Sequence, residues 1–497
     1  MSAVRDVSAD SRQARQADVA GRLAGVLPPG SVLTEREALK PYECDGLSAY
    51  RETPLVAALP SDEAQVAAVL RAARETKTPV VARGSGTGLS GGALPHAGGI
   101  LLSLAKFNRV VEVDAAARLA RVQSGVTNLR ISQHVAPMGL YYAPDPSSQI
   151  ACSIGGNVAE NSGGVHCLKY GLTVHNVARV RAMGIEGDIL DLGSEALDAP
   201  GYDLLALVHG SEGLLAITLE VTVKLLPKPE VAQVIMASFA DVESAGEAVA
   251  HVIGAGIVPA GLEMMDKLAT RAVEDFVHAG YDLEAEAILL AESDGAREEV
   301  AHEVEKMIEV MRASGATDIK CSSNEAERLR FWSGRKAAFP AVGRISPDYY
   351  CIDGSIPRGA LAHVLRRTGE FSAKYNLRCA NVFHAGDGNL HPLILYDGNV
   401  PGELDRTEKF AADLLELCIE MGGTITGEHG VGVEKINQMC SQFAPAELAQ
   451  FHALKAAFDP EGLLNPGKMV PTLHRCAEYG AMRVKGGALP HPNLPRF

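Results

Sequence analysis

The sequence predicts an α+β protein of two domains, and three observations carry that prediction. Two segments dense in glycine, at 83–102 and 153–164, lie among short strand-like runs rather than ahead of long helices. Pro227-Lys228-Pro229 then interrupts the chain directly after a strand-like run at 216–226. Beyond it, longer amphipathic stretches alternate with strand-like pieces, the pattern of a second α+β unit.

Taken in order, the chain divides into an N-terminal helical segment (1–50), a first domain (51–228), a second domain (229–472) and a tail (473–497). Residues 1–27 are charged and Ala-rich without an apolar core, which excludes a secretory signal. Ser61-Asp62-Glu63 reads as a helix start, with Ser as the cap and carboxylates in the first turn. Val66, Val69, Leu70 and Ala73 follow at helical spacing, and residues 79–82 read as a short buried strand. Further strand-like runs fall at 110–113, 119–122 and 177–182. In the second domain the periodicity predicts helices over 240–253, 296–313 and 324–339, and strands at 287–290 and 349–352.

The 497 residues are 47% hydrophobic and 22% charged, the composition of a soluble globular chain. A formal net charge of −15 argues against a general nucleic-acid binder, which needs a surplus of Lys and Arg. The apolar stretch 204–226 is broken by His209, Glu212, Glu220 and Lys224, so no transmembrane segment is expected. The nine cysteines are scattered without a CxxC pair, which removes an iron–sulfur cluster or zinc ribbon from consideration and suits a reducing cytosol.

Residues 86–91, Gly-Thr-Gly-Leu-Ser-Gly, match the dinucleotide fingerprint GxGxxG. That fingerprint needs a helix directly after the glycines to hold a pyrophosphate, and here Pro95 and Gly98-Gly99 intervene before another strand. The alternative is a loop whose backbone N–H groups cradle phosphates as a nest. Seven glycines in the sixteen residues 84–99 carry a large backbone-entropy cost, which favours a ligand over a bare hairpin. The second segment, Pro144-Asp145-Pro146-Ser147-Ser148 with Ser153 to Gly164, has the same logic, and its Asn157 and Asn161 offer amide donors. Two such loops about sixty residues apart suit a long, two-ended cofactor.

These loops resemble the FAD-binding domain of the vanillyl-alcohol-oxidase/PCMH-type FAD-linked oxidase family. Gly210-Ser-Glu-Gly213, the segment 381–391 and Gly427-Glu-His-Gly430 narrow the likeness to the FAD-linked subunits of bacterial glycolate oxidases, kin of D-lactate and D-2-hydroxyglutarate dehydrogenases. The resemblance implies a PCMH-type FAD-binding domain followed by an FAD-linked oxidase C-terminal cap domain. It implies FAD-dependent oxidation of glycolate, and of D-lactate, to the 2-oxo acid, with a stand-alone D-lactate or D-2-hydroxyglutarate dehydrogenase as the alternative. Covalent members carry the flavin on a His in the first glycine loop, and this loop has none, so non-covalent FAD is implied. The residues implied to hold it are Arg83, Gly84, Ser85, Gly86, Thr87, Gly88, Pro144, Asp145, Ser148, Gly155, Gly156, Asn157, Asn161, Gly164, Glu212, Ile217 and Asn465.

His384 and His391 flank a Gly386-Asp-Gly-Asn389 turn, and Glu428 and His429 lie in a second glycine-flanked turn. Two imidazoles and a carboxylate suit Zn²⁺ or Mn²⁺, with turn histidines bonded to backbone as the plain alternative. The resemblance places a metal on His384, His391 and Glu428, and it leaves His429 to take the hydroxyl proton while hydride passes to flavin N5. Neighbouring residues of a regular strand face opposite ways, so Glu428 and His429 share a site only in an irregular turn. The resemblance places the substrate carboxylate on Arg335, with Arg344 and Tyr350 as secondary candidates. It further implies partner subunits of a glycolate oxidase complex, one bearing iron–sulfur centres. The location expected is cytoplasmic, or peripheral on the inner membrane through those partners.

Overall fold

The computed structural model describes residues 9–196 and 201–471, so the tail assigned to 473–497 lies outside the described residues. Near the N-terminus, Val56–Ala58, Ile100–Ser103 and Val80–Arg83 form a parallel sheet, with Val32–Leu33 antiparallel at one edge. These strands read as continuous apolar runs because both faces are covered. Helix Glu63–Thr76 covers one face through Val66, Val69, Leu70 and Ala73, all buried as their spacing predicts. Its cap is one residue later than expected. Asp62 accepts from the Gln65 N–H at 2.8 Å, while Ser61 donates its N–H and hydroxyl to Gln65 Oε1. A carboxylate at the positive end of the helix outcompetes the neutral hydroxyl for that position.

A five-stranded antiparallel sheet follows, in the order Val110–Asp114, Leu119–Gln123, Ile217–Lys224, Val177–Met183, Ile189–Gly193. Its expected runs at 110–113, 119–122 and 177–182 are all strands, each one residue longer. No helix forms in 84–99. The second glycine segment, by contrast, contains a short helix, Ile154–Glu160, where only a loop was expected. Seven residues with Gly155 and Gly156 near the start hide its period, but Ser153 caps it by accepting from the Gly156 N–H at 3.4 Å. A side chain at 155 would come within 2.6 Å of Ser124 Cβ, so glycine there lets the helix seat against that strand end.

The chain then crosses through Leu226–Pro227, which pairs with Leu140–Tyr141, to a seven-stranded sheet. Its order is Ala316–Cys321, Val231–Phe239, Ala287–Gly295, Gly261–Asp266, Cys379–Phe383, Pro392–Tyr396, Asp348–Cys351. Alternation splits its residues between two cores. Ile235, Ala237 and Phe239 pack under helices Val242–Gly254, Arg297–Ala313, Leu361–Tyr375 and Glu403–Glu420. Val234 and Met236 pack under Lys267–Val277, Glu325–Lys336 and Ala338–Val342. The helix expected over 324–339 is broken at Ala337, because Pro340 has no N–H to give Lys336 and its ring crowds that carbonyl.

A buried clamp joins the two domains. His166 Nδ1 lies 2.8 Å from Asp145 Oδ2 and Nε2 lies 3.2 Å from Glu292 Oε1, while Arg328 and Trp332 bind the second Glu292 oxygen. Burial opposes a charge on His166, but Asp145 and Glu292 override it and hold the imidazole well above its ordinary value. His166 and Arg328 in turn hold Glu292, despite its burial, down to about 2. A group raised on folding stabilises fully below its unfolded value, about 6.5 for His, and loses that contribution as pH rises through its folded value. Thermal melts of His166→Gln are therefore expected to show a loss of about 2 kcal/mol at pH 6. The gap to the parent protein shrinks in alkali; a gap independent of pH would contradict the clamp.

Candidate active site

A cavity lies between the domains. Its first-domain wall is the glycine loop 83–89, the segment 146–160 in part, and Ser211, Glu212 and Gly213; its second-domain wall carries Lys336, Phe339, His384, His391, Glu428 and His429. The two glycine segments meet there: a side chain at 84 would sit 2.1 Å from Ser153 Oγ, so the backbone itself forms the surface. Of the residues expected to hold FAD, Arg83, Gly84, Ser85, Gly86, Thr87, Gly88, Ser148, Gly155, Gly156, Asn157 and Glu212 line this cavity.

Six do not, and stand behind it. The Pro144 carbonyl accepts from Asn128 at 3.0 Å, and Asp145 anchors the His166 clamp. Asn161 ends the short helix in the left-handed region and accepts from the Val174 N–H. Gly164 packs on the Asp145 backbone, and Ile217 is core. Asn465 Nδ2 donates to Gly92 O at 3.0 Å and to Glu212 O at 2.6 Å, so it ties two cavity segments together from the rear.

His384 follows strand Cys379–Phe383 and His391 precedes Pro392–Tyr396, and the tight turn between them brings their rings to 5.0 Å. Glu428 Oε1 lies 3.3 Å from His384 Nε2 and 2.9 Å from His391 Nε2. The Nδ1 atoms are engaged elsewhere, His384 at 2.8 Å from Glu263 Oε1 and His391 at 3.3 Å from the Ile352 carbonyl. Outer partners on Nδ1 with Nε2 converging on a carboxylate is the arrangement that orients metal-binding imidazoles. The three donor atoms fall within 4.8 Å of one another, so the residues fit a divalent cation.

The turn at 427–430 answers the objection that adjacent residues face apart. Asp353 accepts the backbone N–H groups of Gly427, Glu428 and His429 at 3.1, 3.0 and 2.9 Å, and pairs with Lys435 at 2.9 Å. Three consecutive N–H groups aimed at one carboxylate are incompatible with a strand, and both side chains reach the cavity. Burial opposes ionisation of Asp353, but Lys435 above all holds it far below the usual carboxylate range. From the first domain, Glu212 accepts the Val431 and Gly432 N–H groups at 2.6 and 2.7 Å. The turn at 427–432 is thus suspended between one carboxylate of each domain. His429 stacks on His391 at 4.8 Å with its Nε2 3.8 Å from Glu428 Oε1 and its Nδ1 buried without a partner. Burial pushes its imidazole down to about 4, so it is neutral at neutral pH.

Arg335 lies behind this cluster and not on the cavity wall. Glu263, buried in Gly261–Asp266, takes Arg335 Nε at 2.7 Å on one oxygen and His384 on the other, which draws the guanidinium inward. Arg335 Nη2 has no hydrogen-bond partner among the described residues. Neither secondary candidate reaches the cavity: Tyr350 OH faces Tyr50 OH at 3.4 Å and Arg344 donates to Asp275 O. Sequence reasoning missed Glu263, Asp353 and Glu160. A lone Glu between Leu262 and Met264 was the available signal for Glu263; Asp353 gave none, since the turn it holds lies more than seventy residues away.

Residues 54–193 match the model of an FAD binding domain, and residues 228–469 match that of the C-terminal domain of FAD linked oxidases. The chain is 61% identical over 471 residues to the glycolate oxidase subunit GlcD of Escherichia coli K12, covering 95% of this chain and 94% of that one. The chain belongs to the FAD-linked oxidases. This FAD-linked oxidase is also 38% identical to GlcD of Bacillus subtilis (86% and 91% covered) and 32% identical to a D-lactate dehydrogenase of Anaerostipes hadrus (89% and 95%). Among solved structures, p-cresol methylhydroxylase with substrate bound shares the fold at TM-score 0.78 and 17% identity, covering 93% and 98%. An alkyldihydroxyacetonephosphate synthase shares it at 0.71 and 16%, covering 91% and 84%. The family and the lining of the cavity agree on FAD as cofactor, and the enzyme is an FAD-dependent oxidoreductase.

Proposed function

We propose that this FAD-linked oxidase is the flavin subunit of a glycolate oxidase, converting glycolate, and D-lactate more slowly, to the 2-oxo acid. The observation that carries the reading is that His384, His391, Glu428 and His429 face the same cavity as the two glycine segments. The printed name of the 61% identical relative supports the substrate. FAD held by the loop 84–88 and by Ser148, Gly155, Gly156 and Asn157 supplies the acceptor for the hydrogen on the substrate carbon. A divalent ion, Zn²⁺ or Mn²⁺, on His384, His391 and Glu428 supplies a Lewis acid beside the substrate hydroxyl.

The protein's own groups do the rest. His429 Nε2 takes the hydroxyl proton, and burial keeps the imidazole neutral and so able to accept it. Arg335 stays behind the cavity wall, where its charge balances the buried Glu263, and so acts by positioning and not by contact with the substrate. Glu263 takes Arg335 on one oxygen and His384 on the other, so a single buried carboxylate fixes the ring that points at Glu428. Electrons then leave to partner subunits, one of them iron–sulfur bearing. No described helix is long and apolar enough to cross a membrane, and we place the complex in the cytoplasm or on the inner face of the membrane through those partners.

Steady-state oxidation with an artificial acceptor, run over glycolate, D-lactate, L-lactate and D-2-hydroxyglutarate, tests this. Glycolate is expected to lead, with activity lost on chelation and restored by Zn²⁺ or Mn²⁺. D-2-hydroxyglutarate as the best substrate would overturn the glycolate reading, and activity indifferent to chelation would remove the metal.

A further inference from the structure

Glu160 ends the short helix Ile154–Glu160, and its side chain forms part of the cavity wall. Its Oε2 is buried with no hydrogen-bond partner among the described residues, while the residue as a whole is half-buried. A carboxylate oxygen withdrawn from water without a donor is costly, so Oε2 has a partner that arrives with a ligand, or a proton, or both. Space has been cleared around it. A side chain at Gly92 would lie 2.6 Å from Glu160 Oε1, and one at Gly430 would lie 2.1 Å from Glu160 Oε2. Gly92 continues the first glycine loop and Gly430 follows His429, so the carboxyl is wedged between the flavin loop and the catalytic turn.

Glu212 crowds the same point, its Oε1 2.9 Å from that position on Gly430. Two carboxylates so placed do not both ionise readily, and they are unequally provided for. Glu212 has the two N–H donors of Val431 and Gly432. The neighbouring cations are committed elsewhere, Lys435 to Asp353 and Gly430 O, and Lys468 to Gly92 O, Leu94 O and Asn465 Oδ1. Glu212 therefore keeps the charge and Glu160 keeps a proton, an assignment that burial and then Glu212 both favour.

We propose that Glu160 is an uncharged hydrogen-bond donor to the isoalloxazine ring of FAD, placed beside the catalytic turn to raise the flavin's reduction potential. The inference rests on FAD occupying this cavity with its ring towards His429. Backbone N–H groups of the loop serve the phosphates, and Glu160 stands where the Gly88 end of that loop (a side chain there would lie 3.9 Å from its Oε1) meets the turn of His429, where the ring must face the substrate. Reduction adds electron density to the ring's acceptor atoms, so a donor there binds the reduced form more tightly than the oxidised one.

The test is the FAD midpoint potential, measured against a reference dye without any hydroxy acid, together with the visible spectrum and the FAD dissociation constant. Glu160→Met fills the space without a donor. It is expected to keep FAD but shift its reduction equilibrium about tenfold towards the oxidised form, about 30 mV for a two-electron couple. Glu160→Gln retains an N–H donor and is expected to stay near the parent potential. A Glu160→Met potential equal to the parent's would overturn the proposal, and so would Glu160→Gln falling with Glu160→Met. Because the readout uses no glycolate, failure of the substrate assignment leaves it standing; a parent protein that binds no flavin would overturn both.

Discussion

His429→Asn is expected to lower kcat for glycolate by about 10²–10⁴-fold, the range that a positioned general base contributes. The variant should bind FAD with an unaltered spectrum, because no expected flavin-holding backbone passes through residue 429. The parent imidazole, pushed down to about 4 by burial, is neutral across the neutral range. Activity limited by this group therefore falls only as pH drops towards that value, and loss of the His429-dependent limb in His429→Asn is the second readout. Stopped-flow measurement of flavin reduction separates the chemical step from acceptor turnover. A variant reducing flavin at the parent rate would remove His429 from the reaction.

The second large effect is expected at a residue that touches no substrate. Asp353→Asn removes the counter-charge of Lys435, which is fully buried, and weakens the acceptor of three backbone N–H groups. Breaking a buried ion pair from one side costs about 3–5 kcal/mol, since the remaining charge is stranded. Denaturant unfolding should register that loss, and metal content should fall with it, because Glu428 hangs from the same turn. Asp353→Asn with Lys435→Met leaves no stranded charge, so the double variant should be more stable than Asp353→Asn alone. A double variant whose loss equals the sum of the two single losses would contradict the coupling.

The fold was legible where one element carries its own period. Val66, Val69, Leu70 and Ala73 announce their helix, and the missing helix after Gly91 separates this FAD loop from a Rossmann site. It was illegible where short range competes with glycine: Ile154–Glu160 has too few residues to display a period. The cap at Asp62 and the break at Ala337 turn on single-residue competition that spacing does not resolve.

At the candidate site, the glycine loops and the His/Glu residues stood out because glycine density and paired histidines are local signals. The supports did not. Asp353 meets the turn it holds only after the chain has added two α-helices and four strands, and Glu263 meets Arg335 and His384 from different elements. For the same reason the sequence offered Arg335 as an open cation, whereas Glu263 draws it behind the cavity wall. Glu160 carries no local signal of its own; only the approach of Gly92 and Gly430 gives it a role.

The measurement that decides the reading is anaerobic mixing of the FAD-loaded protein with glycolate, followed by flavin absorbance and product analysis. Bleaching of the flavin bands with one glyoxylate formed per FAD is expected, and it should be slowed when the hydrogens on the substrate carbon are deuterium. Flavin that dithionite reduces but neither glycolate nor D-lactate can reduce would contradict it.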